Sequence, residues 1–177
     1  LFIPTAGNKE DYTAYIDEAQ QTFKDLGFEI EVLDIASCNR ETAQAKIFQS
    51  KILYISGGNT FYLLQELKKK QLLSLIKEQI RDGLIYVGES AGAIITAKDV
   101  DYNKLMDDKT VAKELSDTTG LDEVEFYILP HYGEEPFTDS SKKTFETYKN
   151  QLDLMRMNNS QAVIVNDKEI KVVSEQD

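Results

Sequence analysis

Residues 88–92 read Gly-Glu-Ser-Ala-Gly, the most specific pattern in the chain. A β-rich apolar run precedes them at residues 84–87, and helix-forming apolar residues follow at 93–97. In such a G-x-S-x-G turn the glycines lack the β-carbons that would clash, so the serine hydroxyl is exposed at the carboxyl end of a strand. The pattern predicts that Ser90 is a nucleophile on a strand-to-helix turn.

The base that Ser90 would need can only be His131, because the chain contains one histidine. An isolated histidine is more often structural. His131, however, follows an apolar strand predicted at residues 126–129, and parallel strands bring their carboxyl-terminal turns to one edge of a sheet. The convergence of these turns favours the interpretation that Ser90 and His131 act together as nucleophile and base.

Backbone amides near Ser90 are candidate donors to an oxyanion. The N–H of Ala91 follows the nucleophile directly and lies at the start of the predicted helix. A second donor can come from the turn at residues 57–59, Gly-Gly-Asn, which follows the apolar run 52–55. A tight βα turn without function is the simpler explanation of that glycine pair taken alone.

Short β-rich runs alternate with longer amphipathic segments along the chain. This alternation predicts an α/β fold with a mainly parallel sheet and helices on both faces. The predicted strands are residues 1–3, 28–33, 52–55, 84–87 and 126–129.

Besides the helix after Ser90, four more helices are expected between these strands and after them. They are residues 8–27, with Asn8 as N-cap and Gly27 as the stop; residues 39–48, opened by Asn39; residues 60–81, broken near 70–71 and ended by Gly83; and residues 140–154. The polar, acidic segment 99–125 has no clear period and is expected to lie irregularly over the site. Residues 161–173 are expected to form a hairpin.

Composition limits the compartment and the partners. The 177 residues fit one catalytic domain, residues 1–177, and the net charge of −11 opposes binding to nucleic acid or to an anionic membrane. The single Cys38 cannot form an internal disulfide, which favours the cytoplasm. One histidine and one cysteine far apart give no metal-ligand spacing, so neither a metal nor another cofactor is expected. We expect a monomer or small homo-oligomer.

Four motifs resemble the peptidase E family, which includes cyanophycinase-like serine peptidases of flavodoxin-like or class I glutamine amidotransferase-like fold. They are Phe-Ile-Pro-Thr-Ala-Gly at residues 2–7, the stretch around Gly57, Gly58, Asn59 and Thr60 at 55–64, the elbow from Gly88 through Gly92 to Ala93, and Leu-Pro-His-Tyr at 129–132. The resemblance implies a three-layer sheet, with Ser90 as nucleophile, His131 as general base and the N–H groups of Gly58 and Ala91 as oxyanion donors. It implies short peptide substrates, and a strand and helix before Leu1.

Two departures separate this chain from that family. A carboxylate near the carboxyl-terminal strand orients the histidine in peptidase E, whereas residues 157–161 here read Met-Asn-Asn-Ser-Gln. An amide such as Asn159 can take the place of that carboxylate and hold the imidazole tautomer. Glu134 or Glu135 can orient the histidine instead, or Ser90 and His131 can act as a dyad without a third residue. Members that cut after an aspartate also carry arginine where this chain has Ser-Ser-Lys-Lys at 140–143. Lysine supplies charge without the bidentate fork of arginine, so a preference for aspartyl substrates stays open.

Other functions remain open at this point. An esterase can use the same elbow, although α/β-hydrolases place the acid between the serine and the histidine. An amidotransferase fits less well, because its elbow nucleophile is a cysteine. A peptide-binding module with weak catalysis is the alternative outside the enzymes, and the missing carboxylate is the feature that supports it.

Overall fold

The computed structural model describes residues 1–175, so the last two residues of the predicted domain 1–177 lie outside the described part. Its central sheet contains three parallel strands in the order β1 (Phe2–Ile3), β2 (Ile52–Ile55) and β3 (Ile85–Gly88). The register pairs Ile3 with Ile55 and Ile55 with Gly88. The turns after the three strands therefore lie side by side at one edge, and the predicted α/β class is confirmed.

Two further strand pairs complete the β-structure. The parallel pair joins β4 (Tyr127–Leu129) to β5 (Leu154–Arg156). The antiparallel hairpin joins β6 (Gln161–Asn166) to β7 (Glu169–Ser174), as the sequence predicted.

The helices begin and end where local chemistry requires it. They are α1 (Ala14–Asp25), α2 (Arg40–Gln49), α3 (Thr60–Lys69), α4 (Leu73–Arg81), α5 (Ala91–Ile94) and α6 (Thr138–Tyr148). Asn39 caps α2 and Asn59 caps α3, each through a side-chain oxygen that accepts a backbone N–H three residues later. The predicted break between α3 and α4 lies at Gln71, whose φ of 54° is incompatible with a continuous helix.

Three local predictions are corrected by the structure. Asn8 does not cap α1: it lies in the 3-10 helix Thr5–Lys9 and its side chain donates to Asp34 Oδ1, while α1 starts six residues later. Residues 28–33 form no strand beyond a single bridge between Val32 and Phe2, because β1 offers only two residues to pair with. The helix predicted over 140–154 ends at Tyr148, and the chain turns back as β5.

Apolar side chains on β2, α3 and α5 form the main core. Leu53, Ile55, Phe61, Leu64 and Ile95 are fully buried in this cluster. A smaller cluster of Phe126, Ile128 and Met157 joins β4 to the end of β5. Among residues 1–175, no helix has the length and apolar character needed to cross a membrane.

The acidic segment 99–125 is irregular, as predicted, with two 3-10 helices at Asp101–Leu105 and Lys109–Val111. It packs on the amino-terminal end of α3. The Thr60 N–H donates to Asp107 Oδ2 at 2.8 Å, and Asn59 Nδ2 donates to the Asp108 carbonyl oxygen at 3.0 Å. These bonds hold the segment against the turn that follows β2.

Candidate active site

The turn between β3 and α5 holds Ser90 in a backbone conformation that is rare for a serine, with φ 46° and ψ −105°. Its flanking glycines are required sterically. A β-carbon on Gly88 would lie 2.4 Å from the Gly92 carbonyl oxygen, and one on Gly92 would lie 2.2 Å from the Ile55 carbonyl oxygen. The backbones of the elbow and of β2 approach each other too closely for any other residue.

A chain of hydrogen bonds runs from Ser90 through His131 to Asn159. Ser90 Oγ lies 2.9 Å from His131 Nε2, and His131 Nδ1 lies 2.6 Å from Asn159 Oδ1. Because an amide oxygen only accepts, it selects the tautomer with hydrogen on Nδ1 and leaves the Nε2 lone pair facing the serine hydroxyl. Phe137 stacks on the imidazole with ring centroids 4.9 Å apart.

Strand pairing places Asn159 at the histidine. The β4 and β5 strands run parallel, and beyond them the Met157 N–H donates to the Leu129 carbonyl oxygen and the Tyr132 N–H donates to the Met157 carbonyl oxygen. This ladder aligns residue 159 with residue 131. Glu134 is elsewhere: its backbone N–H donates to the His131 carbonyl oxygen, and no bond joins its carboxylate to the imidazole.

The glycine turn after β2 lies against the elbow. A β-carbon on Gly57 would be 3.3 Å from Ser90 Cβ, and one on Gly58 would be 2.5 Å from the Gly7 nitrogen. Gly58 has φ 126°, a conformation that favours glycine. Within residues 1–175 the N–H groups of Gly58 and Ala91 donate to no protein acceptor, so both remain free to bind a ligand oxygen.

Glu89 points away from the serine hydroxyl, toward β2 and the glycine turn. Its Oε2 accepts from Tyr54 Oη at 2.6 Å and from the Gly57 N–H at 3.3 Å. Burial, followed by the charge of Glu89 and this hydrogen bond, raises the pKa of the Tyr54 hydroxyl, which therefore stays protonated as a donor. The carboxylate thus joins the elbow to the glycine turn.

Sequence reasoning missed two aromatic residues at the site. Tyr15 lies in the helix predicted over residues 8–27, where no site residue was expected, yet its ring edge lies 3.6 Å from a β-carbon built on Gly57. Phe137, which stacks on the imidazole, follows an irregular stretch with no recognisable pattern. Neither carries a sequence signal, because their positions depend on how α1 and α6 pack.

Lys142 and Lys143, the residues in place of the family's arginine, are exposed on α6. No salt bridge in the described part of the chain involves them. Within residues 1–175 there is also no group of three or more His, Cys, Asp or Glu side chains arranged to hold a metal ion.

Comparison with known proteins places these features in context. The family model described as peptidase family S51 matches residues 1–173. An uncharacterized peptidase of Pasteurella multocida is 41% identical over 172 residues, which are 97% of this chain and 83% of the relative. A peptidase E of Shewanella denitrificans is 34% identical over 132 residues, which are 75% of this chain and 53% of that protein.

Solved structures agree with the sequence matches. A crystal structure of a candidate peptidase E protein from Listeria monocytogenes superimposes with a TM-score of 0.93 at 35% identity, covering 98% of this chain and 84% of that one. A peptidase from an acI-B1 Actinobacterium has the same fold, with a TM-score of 0.70 at 24% identity over 98% of this chain and 73% of that one.

Proposed function

This chain belongs to peptidase family S51 and is a serine-type peptidase, and we propose that it hydrolyses short peptides with Ser90 as nucleophile and His131 as general base. The observation that carries the assignment is the pair of hydrogen bonds that connects Ser90, His131 and Asn159 in one line. A serine hydroxyl is a weak nucleophile until an adjacent base accepts its proton.

In the proposed reaction, Ser90 Oγ attacks the peptide carbonyl carbon as its proton moves to His131 Nε2. The protonated imidazole then donates this proton to the leaving amine, which gives an acyl-serine. Water then attacks the acyl group as its proton moves to His131 Nε2. The imidazole passes this proton to Ser90 Oγ as the acyl–serine bond breaks, which releases the acid product and restores the serine hydroxyl. The Nδ1–H bond to Asn159 keeps the ring oriented through both steps.

The oxyanion that forms on the carbonyl oxygen would bind between the N–H groups of Gly58 and Ala91. Within residues 1–175 both donors are unpartnered, and β-carbons on Gly58, Gly88 or Gly92 in these two turns would clash with backbone atoms. Donors that are fixed before reaction need no reorganisation when charge develops. Because α5 has only four residues, we attribute the stabilisation to the two N–H groups rather than to a helix dipole.

Asn159 supplies orientation without charge. A carboxylate would also stabilise the imidazolium that forms in the transition state, whereas a neutral amide only fixes its tautomer and direction. We therefore propose a triad in which Asn159 occupies the place of the acid. The rate of hydrolysis should then fall more when His131 is replaced than when Asn159 is replaced.

The proposed substrates are short peptides, without a specific preference for aspartyl dipeptides. Recognition of an aspartyl side chain needs a cation, and Lys142 and Lys143 on α6 offer point charges without the bidentate fork of arginine. A cytoplasmic location remains a prediction from the single Cys38, whose pKa burial raises, so that it is held as a thiol.

A peptide panel tests the proposal. Full-length protein is incubated with α- and β-linked dipeptides and tripeptides, products are identified by mass spectrometry, and Ser90→Ala protein is run in parallel. Loss of particular peptides in the wild type alone supports the proposal. Binding of peptides to both proteins without cleavage by either would identify a binding module, and cleavage of simple esters alone would identify an esterase.

A further inference from the structure

A polar cavity of about 410 Å³ opens between the turn after β1, the first turns of α3 and the segment 99–125, and no step of the proposed reaction uses it. The charged and aromatic side chains in its walls are those of Lys9, Tyr62, Glu66, Lys69, Lys113 and Glu114. Three lysines against two glutamates leave these walls with an excess positive charge, in a chain whose net charge is −11. The cavity is therefore a candidate site for an anion.

The cavity lies at the same edge of the sheet as Ser90, where ligands of open α/β sheets bind. Lys9 follows Gly7 by two residues, and a β-carbon on Gly58 would lie 2.5 Å from the Gly7 nitrogen. Tyr62 is in the first turn of α3, which begins two residues after Gly58. Four residues of helix advance about 6 Å, and three residues of an extended peptide span about 10 Å. A tripeptide whose carbonyl oxygen is held at Gly58 would therefore reach the cavity.

The three lysines of the cavity differ in their partners. Lys69 Nζ lies 3.2 Å from Glu66 Oε1 and 2.5 Å from Glu114 Oε1, so one ammonium serves both carboxylates. Within residues 1–175 neither Lys113 nor Lys9 forms an ion pair, and Lys9 Nζ lies 4.8 Å from the centre of a tyrosine ring on α3. Two ammonium groups are therefore available to an incoming anion.

A buried polar network holds the wall of the cavity in place. Gln65 and Glu66 are only 5% and 6% exposed. Gln65 Nε2 donates to Glu66 Oε1, and Gln65 Oε1 accepts from the Glu114 N–H, each at 2.8 Å. These bonds fix the segment that carries Lys113 against α3. A wall that is formed before the ligand arrives lowers the ordering cost of binding.

We propose that this cavity binds a carboxylate of the peptide substrate through the ammonium groups of Lys9 and Lys113. The inference rests on the proposed peptidase function and names its substrate class, which is short peptides with a carboxylate at the third residue. Charge-assisted hydrogen bonds from ammonium to carboxylate are stronger than those between neutral groups. Lys69 offsets the two glutamates of the wall, so their repulsion of the ligand is reduced.

Two parts of a peptide can supply this carboxylate, the carboxyl terminus and an acidic side chain. Alanyl-alanyl-alanine carries only the first, alanyl-alanyl-glutamate α-amide carries only the second, and alanyl-alanyl-alanine amide carries neither. Binding of each probe to full-length Ser90→Ala protein is measured by calorimetry, and cleavage by the wild type is measured in parallel. The binding readout does not depend on turnover.

We expect at least one carboxylate probe to bind about tenfold more tightly than alanyl-alanyl-alanine amide, the combined size of two partly exposed ion pairs. The net charge of −11 opposes anionic probes, so long-range attraction cannot produce this preference. The probe that shows the preference identifies the source of the carboxylate. Equal binding of all three probes contradicts the inference, and the proposed function stands if the wild type still cleaves them. Carboxylate-selective binding without cleavage supports the inference and removes the proposed function.

Lys113→Gln and Lys98→Gln form a matched pair of variants. Both lysines are exposed, neither forms an ion pair within residues 1–175, and both changes remove one positive charge, but only Lys113 lines the cavity. We expect Lys113→Gln to reduce the preference for the carboxylate probe about threefold and Lys98→Gln to leave it unchanged. The same reduction in both variants would mean that the cavity is not the binding site.

Replacing Lys9 and Lys113 together by glutamine should remove the preference. We expect the KM of the wild-type elbow for the carboxylate probe to rise about tenfold at little changed kcat, while kinetics on the amide probe stay the same. Thermal unfolding should change little, because neither lysine forms an ion pair in the described part of the chain. A folded double variant that keeps the full preference would show that the carboxylate binds elsewhere.

Discussion

The two halves of the candidate site are built differently. Ser90 and its glycines lie on one continuous stretch, and steric contacts with β2 hold the elbow in place. His131 and Asn159 are separated by 28 residues and meet only because β4 and β5 pair in parallel. The comparison teaches that a nucleophile can be specified by local backbone constraints, whereas the orientation of its base depends on long-range strand pairing.

The largest expected effect is at Ser90, the proposed nucleophile. Ser90→Ala should reduce peptide hydrolysis about 10⁴-fold or more, because no other group on the elbow can form the acyl intermediate. Steady-state kinetics on a cleaved peptide measure this, with circular dichroism as the control for folding. Substantial activity remaining in this variant would remove Ser90 from the reaction and with it the local half of the comparison.

A steric test of the local half comes next. Gly92→Ala should lower the free energy of unfolding by about 3 kcal/mol, because the new methyl group meets the backbone of β2 at Ile55. Gly27→Ala is the control for a glycine loss without a clash: Gly27 has φ 88°, which costs an alanine about 1 kcal/mol, but no atom lies within 4 Å of a β-carbon there. Urea unfolding of both variants measures the difference, and equal costs would show that the elbow is not held by close packing.

The long-range half should respond more weakly. Asn159→Ala should lower kcat about 10- to 100-fold, because His131 keeps its base function but loses the hydrogen bond that fixes its ring. The variant is compared with Ser90→Ala under the same conditions. Losses of equal size would mean that the amide is as essential as the nucleophile, and the contrast between the two halves would fail.

The smallest expected change concerns pH. Asn159→Asp should keep activity and move the acid limb of the pH–rate profile upward by about one pH unit, because a carboxylate stabilises the protonated imidazole. The profile of kcat/KM against pH measures this shift. A profile that does not move would show that residue 159 does not act on the histidine ring.

Much of this arrangement could be predicted from residue patterns. The elbow, the choice of His131 and the break between α3 and α4 follow from glycine spacing, composition and helix-forming residues. Asn8 shows the limit of such reasoning. It has the chemistry of a helix cap, but a bond to Asp34 in the folded protein takes its side chain, and α1 begins at Ala14 instead.

The sequence alone therefore determined the nucleophile candidate, the single available base and the α/β alternation, because each depends on local backbone geometry or on the presence of one residue type. Only the tertiary structure decided that Asn159, and not Glu134, forms the hydrogen bond to His131 Nδ1. It also decided that the Tyr15 hydroxyl is buried beside the glycine turns. Both depend on which distant segments pack together. No local pattern records that packing, because it results from the burial of many side chains at once.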